Sequence, residues 1–248
     1  MTTKEEGPIL EARGLSKRFG GVIALEDIEL SILTGEVTCL LGDNGAGKST
    51  LIKILSGVFP PTTGELLLDG EPVNFSAPRE ALSRGIATVY QDLAMVPLMS
   101  VWRNFHLGSE RTLGRGPLRR IDVRRSKEEA LAALKAIGIE LQDPDQTVAS
   151  LSGGQRQTLA IARALHFGAR VLILDEPTAA LGVRQSDLVL GDIRKAASKG
   201  VAVILVTHNP HHAHPVGDHF VVLRKGRVMA DQRKKDLEVE DLTRLMSG

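Results

Sequence analysis

The chain has 248 residues, 42% of them hydrophobic and 25% charged, enough for one large α/β domain or a core carrying an inserted subdomain. Its 31 basic and 30 acidic residues leave a net charge of +1, so bulk electrostatics make no case for nucleic acid or anionic lipid as a partner. A single cysteine, Cys39, excludes an internal disulfide; the polar stretch from Met1 to Pro8 predicts no signal peptide, and no run of about 18 apolar residues predicts a membrane span.

In chain order, Ile9 to Ala12 and Ile28 to Ile32 alternate as strands, with turns predicted at Gly20-Gly21 and Thr34-Gly35. Phe19 falls on the first turn. Val37 to Leu41 is an apolar run that reads as a buried strand, and a helix is predicted after it from Lys48 onward. Between them Gly42-Asp43-Asn44-Gly45-Ala46-Gly47-Lys48-Ser49-Thr50 fits G-x-x-x-x-G-K-S/T. Glycines let consecutive N–H groups turn towards phosphate oxygens, and the helix start adds its positive end. Lys48 then reaches the terminal phosphates and the Ser49 hydroxyl is placed for Mg²⁺. In a chain with only eight aromatics, a ring beside glycine near such a loop makes Phe19 a candidate platform for a base.

Pro60-Pro61-Thr62-Thr63-Gly64 breaks the chain, Glu65 to Leu68 reads as a strand, and a short helix is predicted near Pro78 to Ser83. The strand Ile86 to Tyr90 delivers Gln91 at its end, where ligand contacts of parallel sheets collect. From about 93 to 165 the chain reads as a mainly helical insertion, with a helix over Val123 to Ile137. Arg115, Arg119, Arg120, Arg124, Arg125 and Lys127 make it locally basic, and an RNA contact is conceivable. The acids Glu128 and Glu129 and the lack of interleaved aromatics favour a solvated face or a protein contact.

Leu151-Ser152-Gly153-Gly154-Gln155 precedes a helix from Arg156 to His166. Ser152 can cap it and the glycines expose its first N–H groups, giving a second anion site with no lysine; an ordinary glycine-rich helix start is the plainer alternative. Val171 to Leu174 reads as a buried parallel strand ending in Asp175-Glu176. That acidic pair is either a strand-end turn or, beside a phosphate loop, a Mg²⁺-holding carboxylate and a group that polarises water. Gln185 to Lys199 looks helical, and the apolar strand Val201 to Val206 is closed by Thr207-His208. Four of the seven histidines lie between His208 and His214. His211 and His214 would share a helix face, but no cysteine or acid stands among them, which disfavours a metal site. Phe220 to Met229 reads as a hairpin and Leu237 to Met246 as a short helix.

Together these residues resemble the ATP-binding cassette (ABC) ATPases, from about Ile9 to the C-terminus. Gly42 to Thr50 is similar to the Walker A loop, Gln91 to the Q-loop, Leu151 to Gln155 to the signature, Val171 to Glu176 to the Walker B strand, and His208 to the switch histidine. The resemblance implies an α/β fold, a P-loop NTPase core of mixed sheet flanked by helices (about 9–92 and 166–248). An N-terminal antiparallel β subdomain and an inserted α-helical subdomain (about 93–165) complete it. It also implies ATP and Mg²⁺ as ligands, clamped in a homodimer where each nucleotide lies between one Walker A loop and the other chain's Ser152, Gly153, Gly154 and Gln155. Lys48 would bind β- and γ-phosphates, Ser49 and Gln91 would ligate Mg²⁺, and Asp175 would hold it through water. Glu176 would be the general base, His208 would contact the γ-phosphate, and Phe19 would stack on adenine.

One departure narrows the group: Gly182 stands where the family usually has an aspartate after Walker B. This variant looks like the carbohydrate importers of the ribose, xylose and fructose kind, in a single-cassette form. The implied protein sits at the cytoplasmic face of the membrane, with transmembrane permease subunits as partners, a substrate-binding protein as an indirect one, and no nucleic acid. The alternatives are a soluble ABC-type switch acting on nucleic acid or an assembly complex, and a nucleotide-binding module without turnover. Tandem cassettes or long basic insertions would favour the switch, and the sequence has neither.

Overall fold

The computed structural model describes residues 7–114 and 118–247; Arg115 and the first six residues of the polar N-terminus lie outside them. The chain opens with β1 (Leu10–Phe19), β2 (Val22–Ile32), β3 (Val37–Leu41) and α1 (Lys48–Leu55). It continues through β4 (Thr63–Leu68), β5 (Glu71–Val73), α2 (Pro78–Ser83) and β6 (Ile86–Val89). A helical stretch follows, α3 (Val101–His106), α4 (Val123–Ile137) and α5 (Gly153–His166), with a small hairpin of β7 (Thr112–Leu113) and β8 (Arg120–Ile121) between α3 and α4. The chain closes with β9 (Val171–Asp175), α6 (Val183–Ser198), β10 (Ala202–Thr207), α7 (Pro210–Val216), β11 (His219–Arg224), β12 (Arg227–Arg233) and α8 (Val239–Ser247).

Two main sheets result. Strands β2, β1, β4 and β5 form an antiparallel sheet in that order, and β12, β11, β3, β10, β9 and β6 form a mixed one. In the second sheet only the β11–β12 pairing is antiparallel. Its central strands are apolar on both faces, as strands buried between two layers must be. Cys39, Leu41, Leu172, Leu174, Val203 and Leu205 point to the side covered by α5, α6 and α7. Leu40, Ile173, Ile204 and Val206 alternate with them and meet α1 and the antiparallel sheet. Trp102 and Phe105 of α3 and Ala130, Leu134 and Ile137 of α4 join the first of these cores.

Several boundaries differ from the periodicity, each for a local reason. Strands β1 and β2 run on to Phe19 and from Val22, because register shifts after Ala12, Leu15 and Lys17 interrupt the alternation without ending the pairing. Helix α5 begins at Gly153 rather than Arg156, since Ser152 and Gln155 form a reciprocal capping box that carries the helix through both glycines. Helix α6 begins at Val183 rather than Gln185, with Gly182 as its N-cap.

Candidate functional site

Parallel pairing brings four chain segments to one edge of the mixed sheet. Leu41 lies beside Thr207, Val206 beside Asp175, and Leu174 beside Val89. The loop from Gly42, the acids Asp175-Glu176, His208 and Gln91 therefore leave adjacent strands at the same carboxyl ends, where open α/β sheets bind ligands.

The loop itself is built by backbone that only glycine takes easily. Gly47 sits at φ 109°, and a Cβ there would come within 2.8 Å of Leu25 Cδ2. Lys48 Nζ donates to the carbonyls of Gly42 at 2.5 Å and Asp43 at 3.1 Å, so the loop coils around its own lysine. Burial pushes the Lys48 pKa down, and the charges of Glu176, Asp175 and Asp43 oppose that shift. Around the loop lies a cleft of about 370 Å³, walled by residues 43–50, Val22 to Ala24, and Lys225-Gly226. Inward-coiled backbone, a helix start with no side-chain cap and a desolvated lysine fit a polyphosphate.

Of the two acids, Glu176 sits on strained backbone. Glu176 has φ 48°, a left-handed conformation unusual for a non-glycine residue, fixed by its N–H donating to the Val206 carbonyl at 2.9 Å. Its carboxylate accepts from Thr207 Oγ1 at 3.3 Å and from His208 Nδ1 at 2.8 Å. Because a carboxylate only accepts, Nδ1 carries the proton and Nε2 is left free on a half-exposed ring. Burial, then the neighbouring Glu176 charge, raises the Asp175 pKa, while Lys48 and Lys53 lower it. Asp175 brings a carboxylate, Ser49 a hydroxyl and Gln91 an amide oxygen, donor types that suit Mg²⁺; Ser49 lines the loop's cleft, whereas Gln91 lines a different one with Glu176.

The second glycine-rich helix start stands apart. Ser152 Oγ accepts from Gln155 N–H at 3.2 Å, while Gln155 Oε1 accepts from Ser152 N–H at 2.8 Å. None of residues 152–155 lines the phosphate cleft; Gly153 instead faces Gln91 and Glu176 across a separate cleft of about 360 Å³. Arg156 also lines that cleft, its guanidinium donating to the Leu151 carbonyl at 2.6 Å. Phe19 is not part of the phosphate cleft either. Its ring packs edge-on against Phe59 at 5.4 Å with Lys17 beside both, and it remains half-exposed. Two of the four clustered histidines make structural bonds: His212 bonds Thr178 Oγ1 at 2.9 Å and His214 Nε2 donates to the Leu237 carbonyl at 3.0 Å.

The ABC transporter family matches residues 25–179. The chain belongs to the ABC transporter ATPases. It is 42% identical over 242 residues to a xylose/arabinose import ATP-binding protein of Sulfolobus acidocaldarius, covering 97% of this chain and 94% of that one. A fructose import ATP-binding protein of Rhizobium meliloti is also 42% identical, over 246 residues, with 97% and 94% covered. A ribose import ATP-binding protein of Rubrobacter xylanophilus is 42% identical over 97% of this chain but only 48% of its own length. Among solved structures, a nucleotide-free cassette of an ABC transporter aligns with a TM-score of 0.82 at 25% identity, covering 97% and 96% of the two chains. A dimeric cassette in a post-hydrolysis state with ADP and Pi aligns with a TM-score of 0.75 at 28% identity, covering 91% and 98%. As an ABC ATPase the chain binds nucleotide and hydrolyses ATP.

Sequence reasoning missed part of this cassette's cleft. Val22 to Ala24 and Lys225-Gly226 line it through pairing across almost the whole chain: Gly226 N–H donates to Ala46 O at 2.9 Å and its carbonyl accepts from Glu26 N–H at 2.8 Å. Locally those residues read only as strand and hairpin turn, and no short-range pattern marks them as site residues.

Proposed function

We propose that this chain energises the import of a sugar, working on the cytoplasmic face of the membrane with a separate permease and, through it, a substrate-binding protein. The names of its relatives support the sugar. The observation that carries the reading is the single strand edge at which Lys48, Asp175, Glu176 and His208 meet, while a capped, lysine-free helix start lies elsewhere on the same chain.

In this reading residues 42–50 hold the phosphates, with Lys48 leaving its loop carbonyls to meet them. Ser49, Gln91 and Asp175 would hold Mg²⁺, which supplies positive charge against the phosphate oxygens. Glu176, aimed by its backbone and by His208, takes the proton of the attacking water, and His208 Nε2 faces the terminal phosphate. Phe19 turns from Phe59 to the base. Ser152 to Gln155 serve a second copy: the Ser152 hydroxyl accepts one bond within its own cap, and its proton stays free to donate. Two such half-sites make an ATP-clamped homodimer, and closure drives the permease.

The permease would enter a groove of about 270 Å³ between the Gln91 loop and the helical segment, lined by Tyr90, Ala94, Met95, Ser109, Arg163 and Phe167. We take residues 93–165 as the lever that carries this groove relative to the core. Reconstitution with the permease in liposomes tests the reading: uptake should require ATP hydrolysis inside the assay, and solute entry that ignores ATP overturns it.

A further inference from the structure

We infer that Lys225 is a second phosphate-binding lysine of the nucleotide cleft, an inference that rests on the proposed reading of that cleft as the ATP site. The residue sits in the tight turn between β11 and β12, at φ 48° beside Gly226 at φ 77°. That turn is latched from both sides of the cleft: Gly226 N–H donates to Ala46 O of the phosphate loop at 2.9 Å, and Gly226 O accepts from Glu26 N–H of β2 at 2.8 Å. A side chain at Gly226 would come within 2.6 Å of the Ala24 carbonyl, so the turn has little room to shift. Lys225 thus lines the cleft from a fixed backbone and is exposed to solvent.

Its charge is also uncommitted. Arg227, two residues on, is held by Glu26 at 2.8 Å, and Arg233 is paired with Glu36, but Lys225 takes part in no salt bridge among the described residues. Two cations, Lys48 and Lys225, and one acid, Asp43, line this cleft. Lys48 is buried and bonded to the loop's own carbonyls, whereas Lys225 is a mobile-stemmed point charge free to follow a polyphosphate. A partly exposed lysine screened by solvent adds a modest factor to affinity, and it acts on phosphate rather than on the base.

Equilibrium titration of the full chain with MgATP and with adenosine tests this. Lys225→Gln should weaken MgATP binding about threefold, flatten its salt dependence and leave adenosine binding unchanged, and Lys225→Arg should restore the wild-type affinity. Arg227→Gln removes the same charge from the same hairpin outside the cleft and should change neither ligand. Equal losses for MgATP and adenosine, or an Arg227→Gln effect matching that of Lys225→Gln, overturn the inference. If Lys48→Ala weakens MgATP binding while Lys225→Gln does not, only the role of Lys225 fails. If Lys48→Ala itself leaves MgATP affinity intact, the reading of the cleft as the ATP site fails with it.

Discussion

Two glycine-rich helix starts in this chain, those of α1 and α5, use the same backbone device and finish it in opposite ways. Helix α1 follows Gly47, a left-handed N-cap with no side-chain acceptor, and its first turn carries Lys48 and Ser49. Helix α5 follows Ser152, which closes a complete capping box with Gln155 and brings no lysine into its first turn. Free N–H groups at a helix start are a standing cost until something accepts from them. In α5 the chain's own side chains meet part of that cost, so the helix is well formed before any ligand arrives. In α1 no side chain meets it, so under the proposed function an anion bound there would meet that cost and stabilise the chain. Under the proposed function the first start is a receptor and the second a preformed lid for another copy's receptor.

The largest effect should come from the acid proposed as general base. Glu176→Gln keeps the shape of the His208 contact but cannot take a proton, and turnover should fall by about 10²–10⁴-fold with MgATP affinity little changed. Phosphate release as fast as wild type would remove Glu176 from the chemistry. The same variant should accumulate a dimer in MgATP, visible by light scattering.

Mixing two crippled chains sharpens the contrast between the helix starts. Lys48→Ala damages the receptor half alone, and Ser152→Ala the lid half alone, at about 1 kcal/mol of N-cap stability that urea denaturation of the nucleotide-free chain can read. Each pure variant should hydrolyse ATP poorly. A mixture should recover activity, because a mixed pair contains one site built from an intact phosphate loop and an intact α5 start. If activity in the mixture is only the average of the two, the half-sites do not meet in trans.

A smaller effect is expected at Asp175. Burial and Glu176 raise its pKa in the folded state, so the protonated carboxyl favours folding at low pH. That contribution is lost as pH rises through the folded pKa, and at neutral pH the ionised group opposes folding. Asp175→Asn should therefore raise the melting temperature of the nucleotide-free, metal-free protein at neutral pH, and the gain should vanish in acid below the ordinary carboxylate range. A variant that melts lower than wild type at neutral pH would show that Asp175 is satisfied without a cation.

Much of this division was legible in the sequence, because both helix starts are local. Gly42 to Thr50 and Leu151 to Gln155 are continuous stretches whose residue types dictate turn, cap and helix, and the apolar strands β9 and β10 announce where their terminal acids and His208 emerge. Pairing across distance was not legible. The bulged continuation of β1 and β2 breaks the period-two pattern, and the approach of Lys225-Gly226 to Ala46 depends on β11 lying beside β3, which no window of the sequence contains. Phe19 shows the intermediate case: its ring is named by composition, but its partner Phe59 comes from the loop after α1.

The smallest expected effect concerns Gly182, a third helix start finished in yet another way. It caps α6 with φ −71° and ψ 163°, a conformation open to any residue, its carbonyl accepting from Gln185 N–H at 3.0 Å and Ser186 N–H at 2.9 Å while no side chain caps the helix. A Cβ at this position meets nothing within 4 Å. Gly182→Asp should therefore be accommodated without strain, and its carboxylate should accept from the first turn and face the positive helix end, stabilising the chain by about 0.3 kcal/mol. Chemical denaturation near neutral pH reads that gain directly. The informative comparison is with ATP-driven dimerisation, since a carboxylate in place of hydrogen adds negative charge beside exposed Val183. If monomer stability rises slightly while dimerisation shifts by a much larger factor, this helix start also faces the second copy, and its glycine is a feature of the contact between chains. If both change by the same few tenths, Gly182 is only an uncapped helix.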